Sequence, residues 1–160
     1  MSDQTSSLSD RFAPQVQPAG SAIARNAQPS SDYVIKLAEA KAVLSQAAAQ
    51  YAGVDGGAPT VTQASSLGAE DVVISHLINA LKLDIGIFVL ETGALHKETL
   101  DLLARFKAAS RAPVTVYQPV AESVVQFVAR EGKDAMYKSI ELRKACCGIR
   151  KMEPLERALK

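Results

Sequence analysis

Two adjacent cysteines, Cys146 and Cys147, lie in the run RKACCGIRK (Arg143 to Lys151). Thiolates are nucleophiles and soft metal ligands, and the neighbouring Arg143, Lys144, Arg150 and Lys151 favour the ionised form of each sulfur. Residues next to each other in sequence cannot staple a fold. The pair therefore reads as two buried thiols or as metal or cluster ligands, and an iron–sulfur cluster takes four thiolates where this chain offers two. A second segment, SSLGAED (Ser65 to Asp71), sets two hydroxyls beside small residues that let backbone N–H groups approach an anion. It lacks the lysine of a Walker-type loop and is no GxGxxG fingerprint, and tight-turn chemistry explains it equally well. A third, LETG (Leu90 to Gly93), can present Thr92 and Gly93 to a nucleoside or serve as a plain turn from strand to helix. His76 reads as a core or boundary residue within a helix, and His96 as a helix cap or an exposed residue. No zinc spacing and no Ser/His/Asp set is present.

The elements that must position these segments follow from periodicity. Residues 1–31 carry seven serines and three prolines with few large apolar residues, and read as a mobile arm. Residues 32–160 read as part of a single domain. Tyr33, Leu37, Ala40, Leu44, Ala48 and Tyr51 fall at helical spacing behind Ser31 or Asp32 as N-cap, and Gly53 with Gly56-Gly57-Ala58-Pro59 ends that helix. Thr60 to Gln63 reads as a strand, and Val73, Leu77, Ala80 and Leu81 as the apolar stripe of a helix that begins near Ala69. Ile85 to Leu90 (IGIFVL) is a continuous apolar run, the pattern of a strand buried on both faces. Leu100, Leu103 and Phe106 predict a helix over 96–109, Pro113 to Tyr117 a third strand, and Val124, Phe127 and Val128 a third crossover helix. Strands alternating with helices of this length make a parallel sheet, and ligands of such sheets bind beyond the carboxyl ends of the strands. SSLGAED and LETG both fall there.

Composition narrows the partners. At 160 residues, 48% hydrophobic and 22% charged, the chain is an ordinary globular protein of one domain. The net charge of +1 gives no general reason to expect nucleic acid or an anionic membrane. No apolar stretch approaches a membrane span, the polar N-terminus has no secretory signal, and two unpaired cysteines point to a reducing cytoplasm. The charge is unevenly placed. Residues 130–160 hold 9 of the 18 basic residues and 5 of the 17 acidic ones, around the cysteine pair. Such a region suits an anionic ligand or an anionic cluster, and equally a solvated basic helix face.

Taken together, SSLGAED, LETGALHKET and ELRKACCGIRKMEPLERAL resemble, in order and spacing, the assimilatory adenylyl-sulfate and phosphoadenylyl-sulfate reductases of the PP-loop superfamily, from about Thr60 to Lys160. The resemblance implies an α/β fold, a three-layer Rossmann-like parallel sheet of the adenine-nucleotide α-hydrolase-like kind, cut short after the third strand and its following helices. It implies that Ser65, Ser66 and Gly68 meet the phosphosulfate end of the nucleotide, and that Leu90, Thr92 and Gly93 lie near the adenosine. The family usually has Asp where this chain has Glu91, which keeps the charge but moves it by one methylene. Cys146 and Cys147 match two ligands of a four-iron four-sulfur cluster, and Lys151 the lysine between cluster and phosphosulfate.

The cysteine pair goes with the cluster-bearing branch, so adenylyl sulfate is the implied substrate and its 3′-phosphorylated form the alternative. The implied chemistry is thiolate attack on the sulfonyl sulfur, loss of AMP, and release of sulfite by a thioredoxin- or glutaredoxin-type thiol. The implied protein is cytoplasmic, without nucleic-acid or membrane partners, and compatible with a homo-oligomer. The family's second cysteine pair and its nucleophilic cysteine are not in these 160 residues, so the chain is expected to be the amino-terminal part of such an enzyme and inactive alone. Two other readings compete. Sulfurtransferases and adenylating enzymes of the superfamily want an SGGxDS-like loop, which SSLGAED does not match. A non-catalytic nucleotide-binding module would fit the missing nucleophile.

Overall fold

The computed structural model describes residues 29–53 and 59–160. Most of the 1–31 arm and the Gly56-Gly57-Ala58 helix stop lie outside the described residues. Two compact units are present, one ending at Lys36 and the other running from Leu37 to Lys160. In the first, the carbonyl of Asp32 accepts the Lys36 N–H at 3.0 Å, which makes Asp32 the N-cap, and its carboxylate pairs with Lys36 at 2.5 Å. This opens α1 (Tyr33–Gln50), in which no residue is fully buried.

In the second unit three strands, β1 (Thr62–Ser65), β2 (Gly86–Leu90) and β3 (Val114–Tyr117), form one parallel sheet in the order β1-β2-β3. The register aligns Thr62 with Gly86 and Ser65 with Val89 on one side, and Ile87 with Val114 and Leu90 with Tyr117 on the other. The crossovers are α2 (Ala69–Ala80) and α3 (Lys97–Ala109). With α4 (Ala121–Glu131), these are the flanking helices of a Rossmann-like α/β arrangement. IGIFVL becomes the central strand because it alone is apolar on both faces, with Ile87, Phe88 and Val89 all buried. Ile78 of α2, Ile85, Ile87 and Ala112 make one core, against which Leu44, Ala48 and Phe106 pack. Leu67, Val89 and Leu103 make an adjoining one.

β1 is displaced by two residues from the expected Thr60–Gln63: it begins at Thr62 and runs through Ala64 to Ser65. Its inward side chains are polar, Gln63 and Ser65, which disguises it as a loop. Gln63 is satisfied by α2: its amide N–H donates to the Asp71 carbonyl and its carbonyl accepts from the Ser75 hydroxyl, each at 2.8 Å. The same contacts correct the expected face of α2. Ser75, Leu77 and Ile78 are its buried residues, whereas Val73 is 57% exposed and His76 lies on the surface instead of in the core. A polar residue on the buried face shifted the apparent stripe. Among the described residues no buried side-chain N or O lacks a partner.

Asn79, near the end of α2, fixes the approach to β3. Its Oδ1 accepts the N–H groups of Arg111 at 2.6 Å and Ala112 at 2.8 Å, while its own amide donates to the Ser75 carbonyl at 2.8 Å. Asn79→Ala orphans two backbone donors and should cost about 1–3 kcal/mol. Asn79→Asp keeps the acceptor and should lose less. Urea unfolding of both variants checks the ranking.

After α4 the chain makes a short 3-10 turn (Ala135–Tyr137) and then α5 (Ile140–Cys147), N-capped by the Ser139 hydroxyl, which accepts the Leu142 N–H at 3.2 Å. A π-helical turn, Gly148–Met152, leads directly into α6 (Glu153–Ala158). Pro154 explains the wide turn. It has no N–H to donate to the carbonyl of Arg150 four residues earlier, and its ring would crowd that carbonyl in a regular α-helix.

Candidate functional site

The sheet brings SSLGAED and LETG side by side. β1 ends at Ser65 and β2 at Leu90, and a cleft of about 430 Å³ opens beyond these carboxyl ends. Ser65, Ser66 and Asp71 line one wall, Leu90 and Thr92 another, and Lys151 and Leu155 from the carboxyl-terminal helical segment close it. Five of the residues singled out in the sequence (Ser65, Ser66, Leu90, Thr92 and Lys151) thus meet in one place from three separated segments. Gly68 and Gly93 stand beside the cleft without lining it, and Cys146 and Cys147 do not line it either.

The first loop is held by its own side chains. Ser66 donates its N–H and its hydroxyl to Asp71 Oδ2, at 2.7 and 2.6 Å. The Leu67 N–H donates to Ser65 Oγ at 3.2 Å and the Gly68 N–H to Ser66 Oγ at 3.3 Å. Leu67 adopts a left-handed backbone (φ 65°), a conformation that costs a non-glycine residue about 1 kcal/mol or more. Its side chain is buried against Val89 and Leu103, which over-determines that conformation. The Ser66 hydroxyl, then its N–H, hold the Asp71 carboxyl below its ordinary value of 3.8. Asp71 had no assigned role in the sequence; its place in the first turn of α2, four residues before a buried serine, was the available signal.

The second loop is braced from two sides. Glu91 does not enter the cleft: its carboxylate accepts the Gly93 N–H at 2.6 Å and the Gln118 side-chain amide at 2.9 Å, tying the exits of β2 and β3. The buried Thr92 uses its hydroxyl to accept the Ala94 N–H at 3.3 Å. Its carbonyl accepts Arg150 Nη1 at 2.7 Å, across 58 residues of sequence. Gly93 has φ 68°, which favours glycine, and a Cβ there would stand 3.1 Å from the same Arg150 nitrogen and press on it. Arg157 continues the bracing. It donates to the Gln118 carbonyl, pairs with Glu153 and lies 5.9 Å from the ring centre of Tyr117. His96 is the N-cap residue of α3, with no side-chain capping bond, and is exposed.

The cysteine pair sits at the end of α5. Cys146 is buried with Phe127 and Ala135 in a third apolar cluster, and Cys147 is half-buried. Both are free thiols. Among the described residues no three His, Cys, Asp or Glu side chains converge as a metal site. A four-iron cluster takes four thiolates, so the donors present in this chain do not make up that set. Among the described residues, too, no helix is long and apolar enough to cross a membrane.

A parallel sheet with flanking helices and a cleft at its carboxyl ends, lined by two serines and a lysine, places the chain among the Rossmann-like α/β proteins. Within that class, the sequence profile of the phosphoadenosine phosphosulfate reductase domain matches residues 60–160, and the chain belongs to that family. It is 48% identical over 97 residues to an adenosine 5′-phosphosulfate reductase of Neisseria meningitidis, which covers 60% of this chain and 40% of that protein. It is 47% identical over 96 residues to one of Burkholderia cepacia, covering 60% and 38%. The crystal structure of a phosphoadenylyl-sulfate reductase from Candida auris, a phosphate complex, matches with a TM-score of 0.59 at 22% identity, over 82% of this chain and 63% of that one. At that identity the likeness speaks for the fold. The chain spans about two fifths of the length of the curated relatives it matches.

The lowered pKa of Asp71 has a stability consequence. A carboxylate whose folded-state pKa is depressed contributes stability above its ordinary value near 3.8, and the contribution is lost as pH falls through the folded-state value. The loop is solvent-exposed, so the effect should be under about 1 kcal/mol. Wild type should exceed Asp71→Asn in urea stability at pH 7, and the difference should vanish toward pH 2.

Proposed function

We propose that residues 60–160 form the nucleotide-binding part of a cytoplasmic adenylyl-sulfate reductase, which converts adenylyl sulfate to sulfite and AMP with a thioredoxin- or glutaredoxin-type dithiol. The observation that carries this reading is the convergence of Ser65, Ser66, Thr92 and Lys151 on one cleft in a chain of this family. The names of the matched relatives favour adenylyl sulfate over its 3′-phosphorylated form, as does the cysteine pair. The free thiols suit a reducing compartment.

In this reading the chain binds and orients. The phosphosulfate end lies against Ser65, Ser66 and Gly68, and the adenosine beside Leu90, Thr92 and Gly93. Lys151 supplies the cation that a phosphosulfate anion needs as a thiolate approaches it. The thiolate comes from a cysteine other than Cys146 and Cys147. It forms an S–S bond with the sulfonyl sulfur, the S–O bond to phosphate breaks, and AMP leaves with the electron pair. A dithiol then reduces the S-sulfocysteine, releasing sulfite and becoming a disulfide. Cys146 and Cys147 would supply two of the four thiolates that an iron–sulfur cluster takes.

Two measurements test the reading. Titration calorimetry of the chain with adenylyl sulfate should show binding, and Lys151→Ala should weaken it about tenfold, as expected for loss of one charge-assisted contact. Unchanged affinity removes Lys151 from the site. Anaerobic reconstitution with iron and sulfide should leave the chain without a stable visible charge-transfer band, and thioredoxin should release no sulfite. A brown, fully loaded protein would show that a second copy completes the ligand set.

A further inference from the structure

A loop built to bind an oxyanion is expected to present free N–H groups, and in this one those of Ser66, Leu67 and Gly68 are already taken. The three successive amides of Ser66, Leu67 and Gly68 all have acceptors within the loop, and the charged acceptor among them is Asp71. Its Oδ2 takes both the N–H and the hydroxyl of Ser66, a paired arrangement that a phosphate oxygen could reproduce. Its backbone is anchored separately, because the Asp71 carbonyl accepts from Gln63 and Ser75. The carboxylate can therefore leave Ser66 without loosening α2. Two negative oxygens cannot share the same two hydrogen bonds, and two unit charges at that separation repel even in water. The other charged groups at this point are Glu70, whose Oε2 lies 3.4 Å from where a Cβ on Gly68 would be, and Lys151 across the cleft. Glu70 adds to the repulsion and Lys151 opposes it.

We propose that Asp71 is a resident carboxylate of the anion loop: it holds Ser66 in the place of a phosphate, and the phosphate end of a nucleotide displaces it on binding. Asp71 is then a positioning residue that keeps the empty loop in shape and sets its affinity for oxyanions. The inference rests on the nucleotide reading of the cleft and adds a competitor that belongs to the protein itself.

The test compares AMP with adenosine, which differ by the phosphate alone, on the 160-residue chain and on Asp71→Asn. Asparagine keeps an acceptor for Ser66 and removes the charge. The AMP-to-adenosine affinity ratio should rise about five- to tenfold in Asp71→Asn, with adenosine affinity unchanged. A ratio that stays constant or falls overturns the proposal. A fall accompanied by a Mg²⁺ requirement would mean that the carboxylate stays and shares a cation with the phosphate. A wild-type chain that binds neither compound overturns the nucleotide reading together with this proposal. A second readout needs no variant: the ¹³C resonance of the Asp71 carboxyl at pH 7 should move on saturation with AMP, because two hydrogen bonds are lost. An unmoved resonance with AMP bound also overturns the proposal.

Discussion

The hydrogen bond nearest the cleft that joins the two halves of the site is made by an arginine. Arg150 comes from the turn that follows the cysteine pair, and it donates to the carbonyl of Thr92 at the exit of the central strand. Through that bond the position of the helical segment is referred to the sheet, and Lys151, the next residue, is placed over the cleft. The constraint works in both directions. The strand exit must turn through a left-handed glycine so that the guanidinium can approach, and Glu91 must fold back on its own loop to hold that turn. A charged donor on a partly buried carbonyl contributes about 1.5–3 kcal/mol, more than an ordinary hydrogen bond. Around this one contact the Gln118, Arg157 and Glu153 bonds act as reinforcement.

The two walls of the cleft differ in electrostatic character. The Lys151 side carries positive charge on a helix tied to the sheet, whereas the Ser66 side is closed by a carboxylate. The carboxylate gives the Ser66 amide an acceptor within the chain, and the Leu67 and Gly68 amides find theirs in the Ser65 and Ser66 hydroxyls. Leu67, held left-handed by its packing against Val89 and Leu103, braces the same loop from the apolar side.

Much of this was legible in the sequence, for physical reasons that can be named. IGIFVL is apolar at every position except Gly86, and only a central parallel strand buries both faces of such a run. Loops at the carboxyl ends of neighbouring strands must adjoin, so SSLGAED and LETG could be placed together before any coordinates. What escaped was polar burial. Ser75 and Gln63 complete each other inside, so the pattern places the stripe of α2 through Val73 and His76 in the core or at its boundary. Glu91 follows β2 and Asp71 sits in the first turn of α2, and composition cannot distinguish a carboxylate that braces its own turn from one that faces the cleft. Residue type alone did not reveal these hydrogen-bond partners.

The π turn between the cysteine pair and Lys151 sets a phase. A regular α-helix advances each residue by about 100°, and a wider turn inserts a fraction of a residue that the following helix never recovers. Everything after Met152, including Leu155 on the cleft and Arg157 on Tyr117, is therefore rotated against everything before Gly148. Cys146 keeps to the small apolar cluster with Phe127 of α4, while Lys151, five residues on, lines the cleft. Removing a single residue from this turn would leave every side chain chemically intact and put the two sets on the wrong bearing. Chain length between Cys147 and Pro154 is thus as much a part of the site as the residues that line it.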